Sequence, residues 1–358
     1  MKKLDIYIIK KFLTTFFFIL GIMMVIAIIF DVSEKLDDFL KHDVPMEEIV
    51  FNYYINFVFF YGNLFSPLLI FLSVIIFTSS MAFKSEIIAI LSSGISFNRL
   101  LVPYFITATI LALISFYFNH FVVPHASKER LAFELAYVGY HAKNPHKNLH
   151  KQIKPGHYIY VENYNVDRDI GYKFTYEILN EGKLEYKLLA DYIQWDTTAN
   201  KWELRNYYIR EIQDGKEKLY GGKVIDTTMS FLPDEFEHKD YNIAMMDTPE
   251  LMEFIEDEKL RGSELIPTYE VEKNQRTAMP IATYILVLIG VSFASRKVRG
   301  GIGLHLAISV AISFIYIFAM QVTKVYAIKA GLNPLIAVWI PNIFFGILAF
   351  YFYYRAPK

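Results

Sequence analysis

Long uncharged runs and short alternating stretches divide this chain into two kinds of sequence. Phe12 to Phe30 is 19 residues without a charge, and at about 1.5 Å per residue it covers roughly 28 Å, close to a bilayer core. It is longer than a usual signal-peptide core and no small-residue cleavage site follows, so a retained span is expected. Ile49 to Phe83 is also free of charge and too long for one span. It is expected to hold an interfacial helix leading into a second span at about Phe57 to Ser79, kinked near Pro67. Arg99 opens a third, Leu100 to Val123, and three more follow at about Thr277 to Ser295, Gly303 to Thr323 and Pro334 to Tyr354.

Between the third and fourth runs the pattern changes. Residues 125 to 276 carry 21 Lys/Arg and 28 Asp/Glu, with no run long enough to span. Strand-like alternation appears at His157 to Val161, Gly171 to Leu179, Lys183 to Trp195, Lys201 to Ile212 and Leu219 to Phe231. Turn signals separate these stretches, at Asn180-Glu181-Gly182, Thr198-Ala199-Asn200 and Asp214-Gly215. An antiparallel sandwich or jelly roll is expected. Thr248-Pro249-Glu250 then starts an amphipathic helix, cap first and proline at the first helical position. The expected fold is a polytopic α-helical membrane protein of six transmembrane helices with an inserted, jelly-roll-like antiparallel β domain. The expected domains are residues 1–124 (three spans), 125–247 (β domain), 248–276 (connecting helix) and 277–358 (three spans).

A short segment of about 84–94 interrupts the apolar runs. Ser85 can cap a helix with Glu86 in its first turn, where the helix dipole favours an anion, and Gly94 ends it. Two readings stand: a lever that moves both flanking spans when a partner pushes it, or an ordinary re-entry loop with one solvated acid.

Charge orients the chain. With the N-terminus inside, short inside segments hold eleven Lys/Arg, among them Lys10, Lys11, Lys84, Arg99, Arg296, Lys297 and Arg299. Short outside segments hold four, Lys35, Lys41, Lys324 and Lys329. This asymmetry places both termini and the Glu86 helix in the cytoplasm and the β domain outside. A net charge of −1 implies no nucleic-acid partner, and the absence of cysteine excludes disulfides, thiol nucleophiles and cysteine metal sites. There is no G-x-x-x-x-G-K-[ST], H-E-x-x-H or G-x-S-x-G, and no convergent catalytic set. His141, His146, His150 and His157 have spacings that fit no helical zinc face, so a polar linker is expected there, with no metal site. His120 and His305 lie near span ends. Ionisable residues are almost absent within the spans, which argues against an ion-coupled carrier and leaves the Glu86 helix as the candidate for receiving energy from elsewhere.

The opening Leu4-Asp5-Ile6-Tyr7-Ile8-Ile9-Lys10-Lys11-Phe12 resembles that of the lipopolysaccharide-export permeases of the LptF/LptG type. Ser85-Glu86-Ile87 with Ser93-Gly94 resembles their coupling helix. Ser292-Phe293 with Arg296, Arg299 and Gly303 resembles their fourth-to-fifth loop, and Gly331-Leu332-Asn333-Pro334 with Pro341 resembles their sixth span. Together, in order, these motifs cover essentially the whole chain, LptG-like rather than LptF-like.

The resemblance implies a permease subunit of an ATP-binding-cassette exporter in the inner membrane, not itself an enzyme. Implied partners are a second such permease, two copies of a cytoplasmic ATPase that binds ATP and Mg, a periplasmic bridge protein and lipopolysaccharide; this chain itself is expected to bind no cofactor. By the same resemblance Glu86, with Ser85, Ile87, Gly94 and Arg99 around it, falls where the family couples to its ATPase, and spans one and five line the lipid path. Lipid contacts are expected at Phe30, Lys35 and Lys41. One departure stands out: where LptG members carry lysines at the outer end of the first span, this chain reads Asp31-Val32-Ser33-Glu34-Lys35-Leu36-Asp37-Asp38. An ATP-driven permease for lipoprotein or another amphiphile, and a membrane assembly protein without a transport cycle, are the alternatives.

Overall fold

The computed structural model describes residues 3–138, 146–165, 168–180, 182–197, 199–213, 216–229, 231–236, 243–297 and 301–356. The chain divides into two compact units, one of residues 1–139, 244–251 and 267–358, the other of residues 140–243 and 252–266.

The first unit is helical. Its elements are α1 (Lys3–Lys41), α2 (Met46–Phe83), α3 (Glu86–Ser92), α4 (Phe97–Val138), the start of α5 (Thr248–Leu260), α6 (Ile266–Ala294), α7 (Gly301–Ala330) and α8 (Pro334–Arg355). All but α3 and α5 are long and apolar enough to cross a membrane. In lipid every backbone polar group must be paired within the chain, and a helix does this locally. The charge-free stretch from Ile49 does not form a separate interfacial helix. It continues as α2 through π-helical turns at Ile49–Tyr54 and on past Pro67. Likewise α4 does not stop where the apolar run stops at Val123. It carries His125, Lys128, Glu129, Arg130 and Glu134 as a helix to Val138. Charge marks where a span leaves lipid, and hydrogen bonding sets where the helix ends.

Because lipid tails are as apolar as leucine, burial alone does not join these helices; small and polar residues do. Gly290 of α6 lies so close to α2 that a Cβ there would stand 2.9 Å from Val74 Cγ1. Asn63 of α2 donates to Asn119 Oδ1 of α4 at 2.7 Å and accepts from Ser115 at 2.9 Å. Thr78 and Tyr104 join the same pair of helices at 3.0 Å, and Ser79 joins α2 to His305 of α7 at 2.7 Å. Tyr316 of α7 donates to Asn342 of α8, which donates to the Ala278 carbonyl of α6. These polar pairs join the helices through their apolar stretches, where ionisable residues are almost absent.

The second unit contains one six-stranded sheet: β1 (His146–Lys154), β2 (His157–Asn165), β3 (Ile170–Asn180), β4 (Lys183–Asp196), β5 (Lys201–Gln213) and β6 (Lys216–Thr227). The strands are antiparallel and in sequential order. The expected antiparallel β domain is present; its jelly-roll character is refined to a meander, with no Greek-key crossing among the described residues. Side chains on one face gather around Trp202, Phe174, Tyr164, Phe231 and Phe236, all nearly or fully buried. Trp202 Nε1 donates to the Phe231 carbonyl at 3.0 Å, which satisfies the polar atom of a fully buried indole.

The first strand corrects an expectation. His146 and His150 lie on β1, paired with Tyr164 and Tyr160 of β2, and not in a linker. His-Lys-Asn-Leu-His-Lys-Gln-Ile-Lys has few β-branched or aromatic residues, so backbone pairing along a sheet edge decides its conformation. His157 opens β2, its Nδ1 2.6 Å from the Tyr176 hydroxyl of β3. His141 lies outside the described residues, as do Glu181, Thr198, Asp214 and Gly215 of the turn signals and Arg299 of the fourth-to-fifth loop.

Candidate functional site

The α3 helix is held between two backbone reversals. Ser85 stands at its N-terminus with φ +60°, and Gly94 follows its C-terminus with φ +86°. The second reversal suits a residue without a Cβ. The first corrects the capping expectation, because in this left-handed conformation the Ser85 side chain makes no cap hydrogen bond. Its Oγ accepts instead from Lys297 Nζ at 3.3 Å, across the connection between α6 and α7. Ser96, two residues beyond Gly94, does cap a helix, accepting from the Arg99 amide at 3.3 Å at the start of α4.

Ile87 faces the bundle and is fully buried, in one apolar cluster with Ile8, Phe12, Met81, Phe97, Leu100 and Ala356. The neighbouring Ile88, about 100° further round α3, is half exposed. A helix of only seven residues is marginal by itself, so this packing is what stabilises it.

Glu86 is not a freely solvated acid. The Tyr7 hydroxyl of α1 donates to its Oε2 at 2.8 Å. Lys11, one helical turn along, donates to Tyr7 at 2.7 Å and stands 3.7 Å from the same carboxylate oxygen. About a third of the Glu86 side chain remains exposed, so the acid is both held and reachable (31%). Arg99 turns to the same helix, its Nη2 donating at 2.7 Å to Asp5 Oδ2, an acid buried in the first turn of α1. All five expected coupling residues, Ser85, Glu86, Ile87, Gly94 and Arg99, thus lie in one small region with the first three turns of α1. Asp5, Tyr7 and Lys11 were missed by sequence reasoning; the i,i+4 spacing of Tyr7 and Lys11 was the available signal, but it names no partner 79 residues away.

The three expected lipid-contact residues have different surroundings. Phe30 is largely exposed, in a stripe with Phe17, Phe18, Ile22, Val25, Ile26 and Ile29 along α1. Lys41 is exposed in the last turn of α1. Lys35 departs from the expectation: its ammonium is bound by Asp31 at 3.1 Å and Glu134 at 3.0 Å and donates to the Tyr53 hydroxyl. Tyr54 donates to the other oxygen of Asp31, and Arg130 pairs with Glu134 at 2.9 Å while lying over the Phe60 ring. The acidic surroundings of Lys35 that looked anomalous in sequence are its internal counter-charges, so it presents no open cation to a phosphate. Among the spans α1 is the barest, with 17% of its most apolar window buried, and α7 follows with 22%, against 67% for α2.

Among the described residues no three His, Cys, Asp or Glu side chains come together to hold a metal ion. His150 packs against Tyr160 and His120 bonds Thr248 at 2.7 Å.

Comparison with protein families finds one match across nearly the whole chain: the model described as lipopolysaccharide export system permease LptF/LptG fits residues 6–355. No curated protein matches the chain.

Proposed function

The chain belongs to the LptF/LptG family of lipopolysaccharide export permeases, and on that premise we propose that it is one half of an exporter driven by a separate cytoplasmic ATPase through α3. As a member of that family it is a multi-pass inner-membrane transporter subunit and not itself an enzyme. In this reading a second LptF/LptG-type permease completes the membrane part. Two ATPase copies bind ATP and Mg, and a periplasmic bridge protein receives the lipid.

The orientation supported best has both termini and α3 in the cytoplasm and the β unit in the periplasm. Lys/Arg asymmetry between the short loops favours it. The bonds from α1 to α3, from α3 to the α6–α7 connection, and from Asn98 of α4 to Tyr353 of α8 agree with it, because they gather the lysine-rich segments at one end of the helical unit.

The observation that carries the coupling role is the unequal exposure of three consecutive α3 residues: Ile87 is locked in the bundle, while Glu86 and Ile88, flanking it around the helix, are reachable from outside. A partner with a basic, partly apolar groove that receives α3 would meet Glu86 and Ile88 on its flanks and move the spans through Ile87. Lipid would travel along the exposed stripes of α1 and α7, with Phe30 and Lys41 on its path and Lys35 holding the helix in place.

The test is purification of the tagged chain in mild detergent with its bound proteins and lipids. Recovery of a second six-span permease, an ATPase and a lipid A-bearing glycolipid is expected, and Glu86→Lys should lose the ATPase, since it sets a cation against a basic groove. Wild-type ATPase recovery with that variant would sink the coupling assignment. A different co-purified amphiphile would move the substrate to another lipid.

A further inference from the structure

The contacts around Glu86 involve α1 more than the neighbours of α3 in sequence. Within the first three turns of α1, Asp5 is clasped by Arg99 just beyond α3, Ile8 shares the buried cluster of Ile87, and Tyr7 and Lys11 hold Glu86 itself. Beyond Phe16 the same helix buries only Met24 and Phe39. A helix gripped over its first three turns, held again at Asp31 and Lys35, and exposed between them along Phe17, Phe18, Ile22, Val25, Ile26 and Ile29 turns with whatever moves those first turns. At about 1.5 Å per residue, Lys11 lies roughly 36 Å along the helix from Lys35, so a displacement at the grip tilts the exposed stretch between them about the end that Asp31, Lys35 and Glu134 hold.

We infer that Tyr7, backed by Lys11, is a positioning residue for the coupling acid: it makes Glu86 part of α1, so that force on α3 reaches the first span directly. The inference rests on the coupling role proposed for Glu86. The chemistry is specific. Tyr7 supplies a single O–H donor to Oε2, and Lys11 donates to the tyrosine oxygen, which polarises that O–H toward the carboxylate. A docking cation on the partner would approach the part of the Glu86 side chain that remains exposed, leaving the Tyr7 bond in place. The acid would then bridge partner and α1.

The experiment uses the assembled exporter in proteoliposomes and measures two quantities: ATP hydrolysed and lipopolysaccharide released to the bridge protein. Tyr7→Phe keeps the ring and deletes only the donor. It should leave the ATPase bound and hydrolysing, and lower lipid released per ATP about fivefold, the magnitude of one hydrogen bond to a charged group discounted for partial exposure. Lys11→Gln should give a smaller loss in the same ratio, and Lys11→Arg should restore it. In a Glu86→Ala background, which leaves the Tyr7 hydroxyl no side-chain acceptor on α3, Tyr7→Phe should cost little more, because its effect runs through the acid. An unchanged ratio in Tyr7→Phe, or an equal loss in both backgrounds, overturns the inference. Should Tyr7→Phe fail to assemble, the ratio in Lys11→Gln decides by the same criterion. Failure of the parent reading looks different: the ATPase would stay bound in Glu86→Lys whatever Tyr7 does.

Discussion

The two ends of α1 carry the same chemistry in different surroundings. At the first end, Tyr7 and Lys11 meet Glu86 and Arg99 clasps the buried Asp5, with the side chains of Lys11, Glu86 and Arg99 about a quarter to a third exposed. At the other, Lys35, Asp31, Tyr53, Tyr54, Arg130 and Glu134 form a connected cluster in which no charged side chain is more than 18% exposed. Both contain acids, bases and a phenol bridging them. Partly solvated pairs break and re-form cheaply, because water takes over each charge as it is released. Sequestered pairs lose their partners only at the full cost of an uncompensated charge. The difference bears on the coupling role proposed for Glu86: on that reading the first end suits a joint that transmits load and the second a fixed pivot.

Removing one carboxylate from the second end should have the largest effect. Glu134→Ala leaves Arg130 without its carboxylate and Lys35 with Asp31 alone, and should lower stability by about 3–5 kcal/mol in detergent unfolding. The same substitution paired with Arg130→Leu, which leaves the Lys35–Asp31 pair in charge balance, should recover much of that, since an apolar replacement of a buried ion pair is often neutral. A Glu134→Ala protein as stable as wild type would erase the distinction between joint and pivot. Tyr53→Phe tests the same cluster more gently. It removes the hydroxyl that lies 3.1 Å from Asp31 and 3.2 Å from Glu134, and should cost about 1–3 kcal/mol by the same measurement.

Salt separates the two ends without mutation. Raising ionic strength to about 1 M shortens the screening length to about 3 Å. Accessibility of a cysteine placed at Ile88 should therefore rise with salt, as the Lys11–Glu86 pair weakens by less than about 1 kcal/mol. A cysteine at Val138, near the second cluster, should respond much less. The smallest effect lies in the β unit, as a control with its own titrating group. Burial, and then the nearby Lys154, hold the His157 imidazole below its ordinary range. The unfolded chain therefore takes up a proton first, and stability of the β unit should fall slightly as pH drops through about 6.5. Neither cluster on α1 contains a histidine, so His157→Gln should flatten this response without touching the helical unit.

Much of this molecule was legible from one-dimensional pattern. All six spans, their order and five of the strands follow from runs and alternation, because hydropathy and side-chain period are local properties of the sequence. The misreadings have physical causes. β1 is polar because an edge strand held by backbone pairing needs little apolar surface, and α4 outlasts its apolar run because a helix can continue into a polar environment. Ser85 has the composition of a cap but the backbone of a reversal, and composition does not report φ.

The sequence by itself determined that this is a six-span membrane protein with an inserted β domain, and it singled out Glu86 as an acid between two spans. Only the tertiary structure decided what that acid touches, and that Lys35 serves the protein's own carboxylates. The reason is range. Hydropathy is written residue by residue, whereas the pairs Tyr7–Glu86, Asp5–Arg99 and Lys35–Glu134 join positions 79, 94 and 99 residues apart, which meet only once the helices have packed.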